Sequence, residues 1–179
     1  MEAEIHRLVK KAIKGNKNAF EKLVQHYYER IYRTAYLYVH NEADALDVVQ
    51  EATYQAYTSI KTLRNPEYFT TWLTRIVIRC SGHVIKKRDN VIPMSDELLA
   101  SLPDELNSNI EESSQLLHAV QQLRLNYRTA IILFYYYDYS IKTISSVMEI
   151  PENTVKTYLS RGKAELKKVY KSEEDKCHG

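Results

Sequence analysis

The sequence predicts an all-α protein of two small helical domains joined by a flexible acidic linker, the second containing a helix-turn-helix. Three observations carry this. Apolar residues recur at three- and four-residue steps through nearly every stretch outside residues 89–112. Glycine and proline are scarce, at 4 each in 179 residues, which disfavours all-β and α/β architectures. The charge is also partitioned. Residues 1–88 hold 15 Lys or Arg against 9 Asp or Glu, a net of +6. Residues 89–112 hold 7 acids and no Lys or Arg, a net of −7, and residues 113–179 hold 10 bases against 7 acids, a net of +3. The overall charge of +2 conceals two basic blocks around an acidic connector.

In chain order, Ile5, Leu8, Val9, Ala12 and Ile13 share a stripe, predicting a helix over Glu2–Lys14. Gly15 and Asn16 end it, and Asn16 is placed to cap the next. Phe20, Leu23, Val24, Tyr27, Tyr28, Ile31, Tyr32, Ala35, Tyr38 and Val39 then mark a long helix ending near His40. Asn41 is placed to cap a third helix, with Asp44 as a shortened capping box. Glu42, Asp44 and Asp47 suit the positive end of its dipole. Ala45, Val48, Val49, Ala52, Ala56 and Ile60 form its inner side. Ser59–Pro66 is a connection. Pro66 opens a fourth helix to about Lys87, with Phe69, Trp72, Leu73, Ile76, Val77 and Val84 facing inward.

Asp89 to about Ile110 contains Pro93, Pro103 and the acidic run, and reads as an extended linker. On sequence alone it is either a solvated tether or an acidic strand for a positive channel. Helical spacing resumes at Glu111 with Leu116, Leu117, Val120 and Leu123. Asn126 is placed to cap the helix that carries Ala130, Ile131, Leu133, Phe134 and Tyr137. The expected organisation is therefore a domain over 1–88, a linker over 89–112, a domain over 113–172 and a polar tail over 173–179.

The last stretch, Ser140–Tyr170, reads as a short helix, a tight turn and a longer polar-faced helix. Ser140 is placed to cap the first helix, and Ile141, Ile144 and Met148 share a face. Pro151 stands where the second helix opens. Val155, Leu159, Gly162, Leu166 and Val169 repeat along one side of that helix. Asn153, Lys156, Thr157, Ser160, Arg161, Lys163 and Lys167 lie on the other. Such a helix can enter a major groove amino end first, its amides and hydroxyls reading base edges and its cations holding phosphates. Two amphipathic helices packed for structural reasons alone would show the same period.

Only Cys80 and Cys177 are present, which is no disulfide framework. No leader pattern is visible, and no apolar run approaches the about 18 residues of a membrane span. The expectation is a soluble cytoplasmic protein without direct membrane insertion. Cys80 and His83 lie one turn apart, but two residues do not make a zinc site. No phosphate-binding glycine loop is present, and no metal or other cofactor is expected.

Two blocks carry a resemblance. NEADALDVVQEATYQAY followed by FTTWLTRI resembles the second conserved region of the sigma-70 family. DYSIKTISSVMEIPENTVKTYLSRGKAEL resembles the fourth. The short length and the missing middle domain resemble the extracytoplasmic function (ECF) sigma factors. The resemblance implies a non-enzymatic factor that binds core RNA polymerase, directs it to promoters with −10 and −35 elements and promotes strand opening.

It also implies residue assignments. Asp44, Asp47, Gln50 and Glu51 match the helix that docks on the core polymerase. Ser59–Glu67 matches the loop that holds a flipped −10 base. Tyr68–Arg88 matches the helix that reads and melts that element, with Arg64, Arg75, Arg79, His83, Lys86, Lys87 and Arg88 as cations and Tyr68 as a stacking surface. Where the family often has Asn after the WLxRI run, this chain has Arg79 and Cys80. The −35 reader matches Glu152–Lys168, with Asn153, Thr154, Lys156, Thr157, Ser160, Arg161 and Lys163 as contacts. The family's frequent Ser at its opening is here Pro151. The resemblance places the linker in a basic channel of the polymerase. It implies a restraining anti-sigma factor, which in this family is often membrane-attached. The competing readings are a two-domain helix-turn-helix regulator without initiation activity and a protein-only helical adaptor.

Overall fold

The computed structural model describes the backbone of residues 2–89 and 110–177, and the side chains of 3–88 and 116–168. All regular elements among the described residues are helical. The first four long helices are α1 (Glu2–Ile13), α2 (Lys17–Val39), α3 (Glu42–Ser59) and α4 (Phe69–Asp89). The boundaries follow local chemistry. The Asn16 side chain accepts from the Ala19 amide at 2.9 Å and starts α2. His40 ends that helix in a left-handed conformation, its amide donating to the Tyr36 carbonyl. Asn41 caps α3 by accepting from the Asp44 amide at 2.9 Å. Asn65 accepts from the Glu67 amide at 3.0 Å, and Pro66–Tyr68 form a 3-10 turn that leads into α4.

Ala45, Ala52 and Ala56 on α3 are almost fully buried. Their small side chains let α2 and α3 approach closely, with Val48 and Val49 filling the space between. Phe69, Leu73, Ile76, Val77 and Cys80 of α4 complete this core. Trp72 is half-buried and packs on Phe69, their rings 5.7 Å apart.

The rest of the chain forms α5 (Ile110–Gln122), α6 (Leu125–Ile131), a π-helical turn (Ile132–Tyr136), α7 (Ile141–Met148) and α8 (Glu152–Cys177). Two expectations change here. Asn126 does not cap α6: the helix opens at Leu125, with Arg124 at the cap position and no side-chain cap bond. The helix expected to end near Tyr170 continues to Cys177, since no proline or glycine interrupts residues 163–177. The expected acidic linker lies almost wholly at 90–109, outside the described residues.

The helix-turn-helix is built as its sequence dictates. Ser140 accepts from the Thr143 amide at 3.1 Å and starts α7. Glu149 ends α7 at φ 57°, its amide donating to the Ser145 carbonyl. The Pro151 carbonyl then accepts from Val155 and opens α8. Gly162 explains its own presence. A Cβ there would lie 3.0 Å from Ile131 Cγ1, so glycine permits the close crossing of α6 and α8.

The two halves are in direct contact. The Thr34 and Tyr137 hydroxyls are hydrogen-bonded in a buried position. Arg128 donates to the Tyr38 carbonyl at 2.7 Å and to the Leu123 carbonyl at 3.2 Å, joining the carboxyl ends of α2 and α5. The Arg30 guanidinium lies 4.5 Å over the Tyr137 ring. The Tyr139 hydroxyl reaches Thr74 at 3.4 Å.

Candidate functional site

Three helix faces hold the sequence-predicted residues. On α3, Asp47, Gln50 and Glu51 are exposed while Val48 and Val49 point inward, as the helical period requires. Glu51 accepts from the Gln55 amide group at 2.7 Å. Asp44 is half-buried, 3.7 Å from the Arg88 guanidinium. It therefore joins the amino end of α3 to the carboxyl end of α4 as well as facing outward. Leu46 and Tyr54 are exposed on the same helix and widen the acidic face with apolar surface. Sequence periodicity did not single them out, because each is one apolar residue on a polar side.

On the segment entering α4, Arg64 is exposed and Tyr68 is 62% exposed. Arg79, His83, Lys86, Lys87 and Arg88 follow on exposed positions of α4, and Arg75 is partly covered. Arg75 and Arg79 do not stand free. The Glu149 carboxylate lies 3.0 Å from Arg75 Nη1 and 3.4 Å from Arg79 Nη2. Arg75 also donates to the Ser146 carbonyl. Glu149 was missed by sequence reasoning. The available signal was a single acid between α7 and α8, in a stretch otherwise chosen for contact with a polyanion.

On α8, Asn153, Lys156, Thr157, Ser160, Arg161 and Lys163 are exposed and Thr154 is half-buried. Val155, Leu159 and Gly162 are buried beneath them. The Thr157 hydroxyl donates back to the Asn153 carbonyl at 2.9 Å. Arg161 donates to the Tyr127 hydroxyl at 3.4 Å, and that contact raises its pKa. The Lys163 ammonium stands 5.5 Å from the Phe134 ring and 5.4 Å from that of Tyr135. No carboxylate pairs with these cations among the described residues.

Two titratable groups lie between or beneath these faces. His40 is held neutral, its pKa pushed down to about 4 by burial first and then by Arg128, Arg88 and His118. Both its ring nitrogens are buried without a hydrogen-bond partner. Burial, with Glu51 nearby, pushes the Cys80 thiol up to about 11, leaving it an unreactive core group. No cluster of three or more potential metal ligands occurs among the described residues. No helix among them is long and apolar enough to cross a membrane.

Comparison with known proteins accounts for both halves. The sigma-70 region 2 family matches residues 23–90, and sigma-70 region 4 matches residues 113–166. The chain is 33% identical over 144 residues to the RNA polymerase sigma factor SigV of Bacillus subtilis, covering 80% of this chain and 86% of that protein. It is also 30% identical over 182 residues to the ECF sigma factor SigW of Bacillus subtilis, covering 94% of this chain and 97% of SigW. The chain belongs to the ECF sigma factors.

Two solved structures share the fold of this ECF factor at 20% identity. CnrH in complex with the cytosolic domain of CnrY superposes with a TM-score of 0.72, covering 94% of this chain and 98% of that one. The sigma factor RpoE of Bartonella quintana, in complex with the anti-sigma factor NepR, gives 0.64 over 85% and 96%. As an ECF factor the chain is a transcription-initiation protein with helical DNA-binding regions, and it is all-α with two domains.

Proposed function

We propose that this ECF sigma factor binds core RNA polymerase through α3, directs it to promoters with −10 and −35 elements, and promotes opening of the −10 strands. Asp44, Asp47, Gln50 and Glu51 form the core-docking face. Exposed carboxylates at helical spacing suit an Arg-rich partner, and Leu46 and Tyr54 beside them add apolar contact. Arg64, Tyr68, Arg75, Arg79, His83, Lys86, Lys87 and Arg88 form the −10 surface. Cations along one helix hold phosphates, and the exposed Tyr68 ring offers an unstacked base a platform. Asn153, Thr154, Lys156, Thr157, Ser160, Arg161 and Lys163 form the −35 surface, with α8 lying in the major groove.

The domains divide this work as 1–88 and 113–172, with the net −7 connector of 89–112 running through a basic channel of the polymerase. The factor works in the cytoplasm and catalyses nothing itself. Its binding free energy selects and opens the promoter while the polymerase carries out synthesis. An anti-sigma factor restrains it, a reading supported by the shared fold with RpoE in its complex with NepR.

The observation that carries the proposal is the presence of one acidic and two basic helix faces on one chain, α3 beside α4 and α8. The test mixes purified chain with sigma-free core and promoter DNA. Promoter-specific transcripts that require the chain are expected. DNA binding without core binding would assign a regulator instead, and core binding without DNA dependence an adaptor.

A further inference from the structure

The basic face of α4 is met by the helix-turn-helix of the same chain. Arg75 and Arg79 lie one helical turn apart on α4, and Glu149 bridges them with one carboxylate. The last turn of α7 adds the Ser146 carbonyl to the same Arg75. Glu149 is positioned for this by its left-handed backbone at φ 57°, which turns the chain between α7 and α8. The Tyr139–Thr74, Thr34–Tyr137 and Arg128–Tyr38 contacts fix the orientation of the two halves around it.

A guanidinium presents the same planar donors to a carboxylate and to a phosphate. The Arg75 Nη1 and Nη2 donors held by Glu149 and Ser146, and the Arg79 Nη2 donor held by Glu149, are therefore withdrawn from a DNA backbone. We propose that Glu149 is a built-in phosphate mimic, holding Arg75 and Arg79 in the closed arrangement so that the free chain binds the −10 strand poorly until its halves separate. This rests on the −10 assignment of α4 made above.

The lock is a weak one. Arg79 and Glu149 are both more than half exposed, at 59% and 60%, so water and salt compete for the pair. Its strength comes from being intramolecular and from acting with the other interdomain bonds. The expected effect of removing the carboxylate is about threefold to tenfold, the range of a modest two-state bias.

The test uses the full chain with Glu149→Gln, and with Glu149→Asn, which suits a positive φ better. Dyes attached at the exposed Lys22 and Lys156, each changed to cysteine in a Cys177→Ser background, report the separation of the halves. A fluorescent oligodeoxythymidine of about 15 nucleotides, which has no −35 element, reports access to the cations. Glu152→Gln removes an equal charge from an exposed position on α8 and serves as the control. Both Glu149 variants are expected to lower energy transfer and tighten oligonucleotide binding about threefold to tenfold, with Glu152→Gln doing neither. Identical behaviour of the Glu149 and Glu152 variants overturns the proposal, as does opening without tighter binding.

Promoter initiation by the core-bound Glu149→Gln protein is expected to match the parent, and a drop would place Glu149 on the DNA side and overturn the lock. Failure of the underlying reading has a separate signature. Core-bound Arg75→Ala/Arg79→Ala would then initiate normally, whatever Glu149→Gln does to the free chain.

Discussion

Helices α4 and α8 carry the same kind of surface and meet different surroundings. Both are amphipathic, both bury an aliphatic stripe, and both present cations on the outer side. On α8 the cations lie against aromatic groups, with Arg161 on the Tyr127 hydroxyl and Lys163 near Phe134 and Tyr135. Their charge remains available to an anion. On α4, Arg75 and Arg79 face a carboxylate from the other half of the chain. The charge of a helix says what it can bind. The packing of its neighbours says whether it is ready to. A basic stripe in a sequence reports only the first.

Between these two helices, the largest expected effect breaks the α8 side by unseating its helix. Gly162→Val places a side chain against Ile131, where even a Cβ would sit at 3.0 Å from Cγ1. It should destabilise the fold by about 2 kcal/mol, read as a lowered melting temperature, with loss of −35 binding. A melt equal to that of the parent would show that α6 and α8 can separate without cost.

The next prediction tests α8 as a reader. Arg161→Ala in the core-bound factor should reduce discrimination between a promoter and its scrambled −35 counterpart about tenfold. Equal loss on both templates would assign Arg161 to phosphate alone. On α4, Arg75→Ala should weaken core-bound −10 binding several-fold and lower the salt slope by about 1, one phosphate contact fewer. An unchanged slope would remove Arg75 from the DNA surface.

The smallest effect concerns the seam between the halves. The folded-state pKa of His40 is depressed to about 4 against an ordinary value of 6.5. Above pH 6.5 the ring is neutral whether the protein is folded or unfolded, and it costs nothing. Between pH 6.5 and 4 the unfolded chain takes up a proton that the folded one refuses, so stability falls as pH falls. His40 is partly exposed, and screening reduces the loss to about 1 kcal/mol. Denaturant melts at pH 7 and pH 5 should differ by that amount in the parent and less in His40→Asn. Equal pH dependence in the two would locate the effect elsewhere.

Much of this architecture was legible in the chain. Asn16, Asn41 and Ser140 announce helix starts because a short polar side chain that accepts a backbone amide is a local event. The faces of α3 and α8 were legible because burial imposes a period on them. The Asn126 cap was misplaced for the opposite reason. The start of α6 is set by tertiary packing, including Arg128 reaching the ends of two other helices, and no local pattern encodes that. Glu149 lies 74 residues from Arg75, and separations of that kind leave no trace in a single sequence. The left-handed Glu149 was equally hidden, since glycine would have been the ordinary signal there.

The claim beneath all of this is that the acidic face of α3 grips the polymerase. The direct measurement is equilibrium binding of the labelled chain to sigma-free core at low salt, beside an Asp47→Lys/Glu51→Lys variant. The account predicts a stable complex for the parent and a loss of about 100-fold or more for the variant, since two carboxylates facing basic groups become repulsive. A parent chain that forms no complex with the core, or a variant that binds as well as the parent, would contradict it.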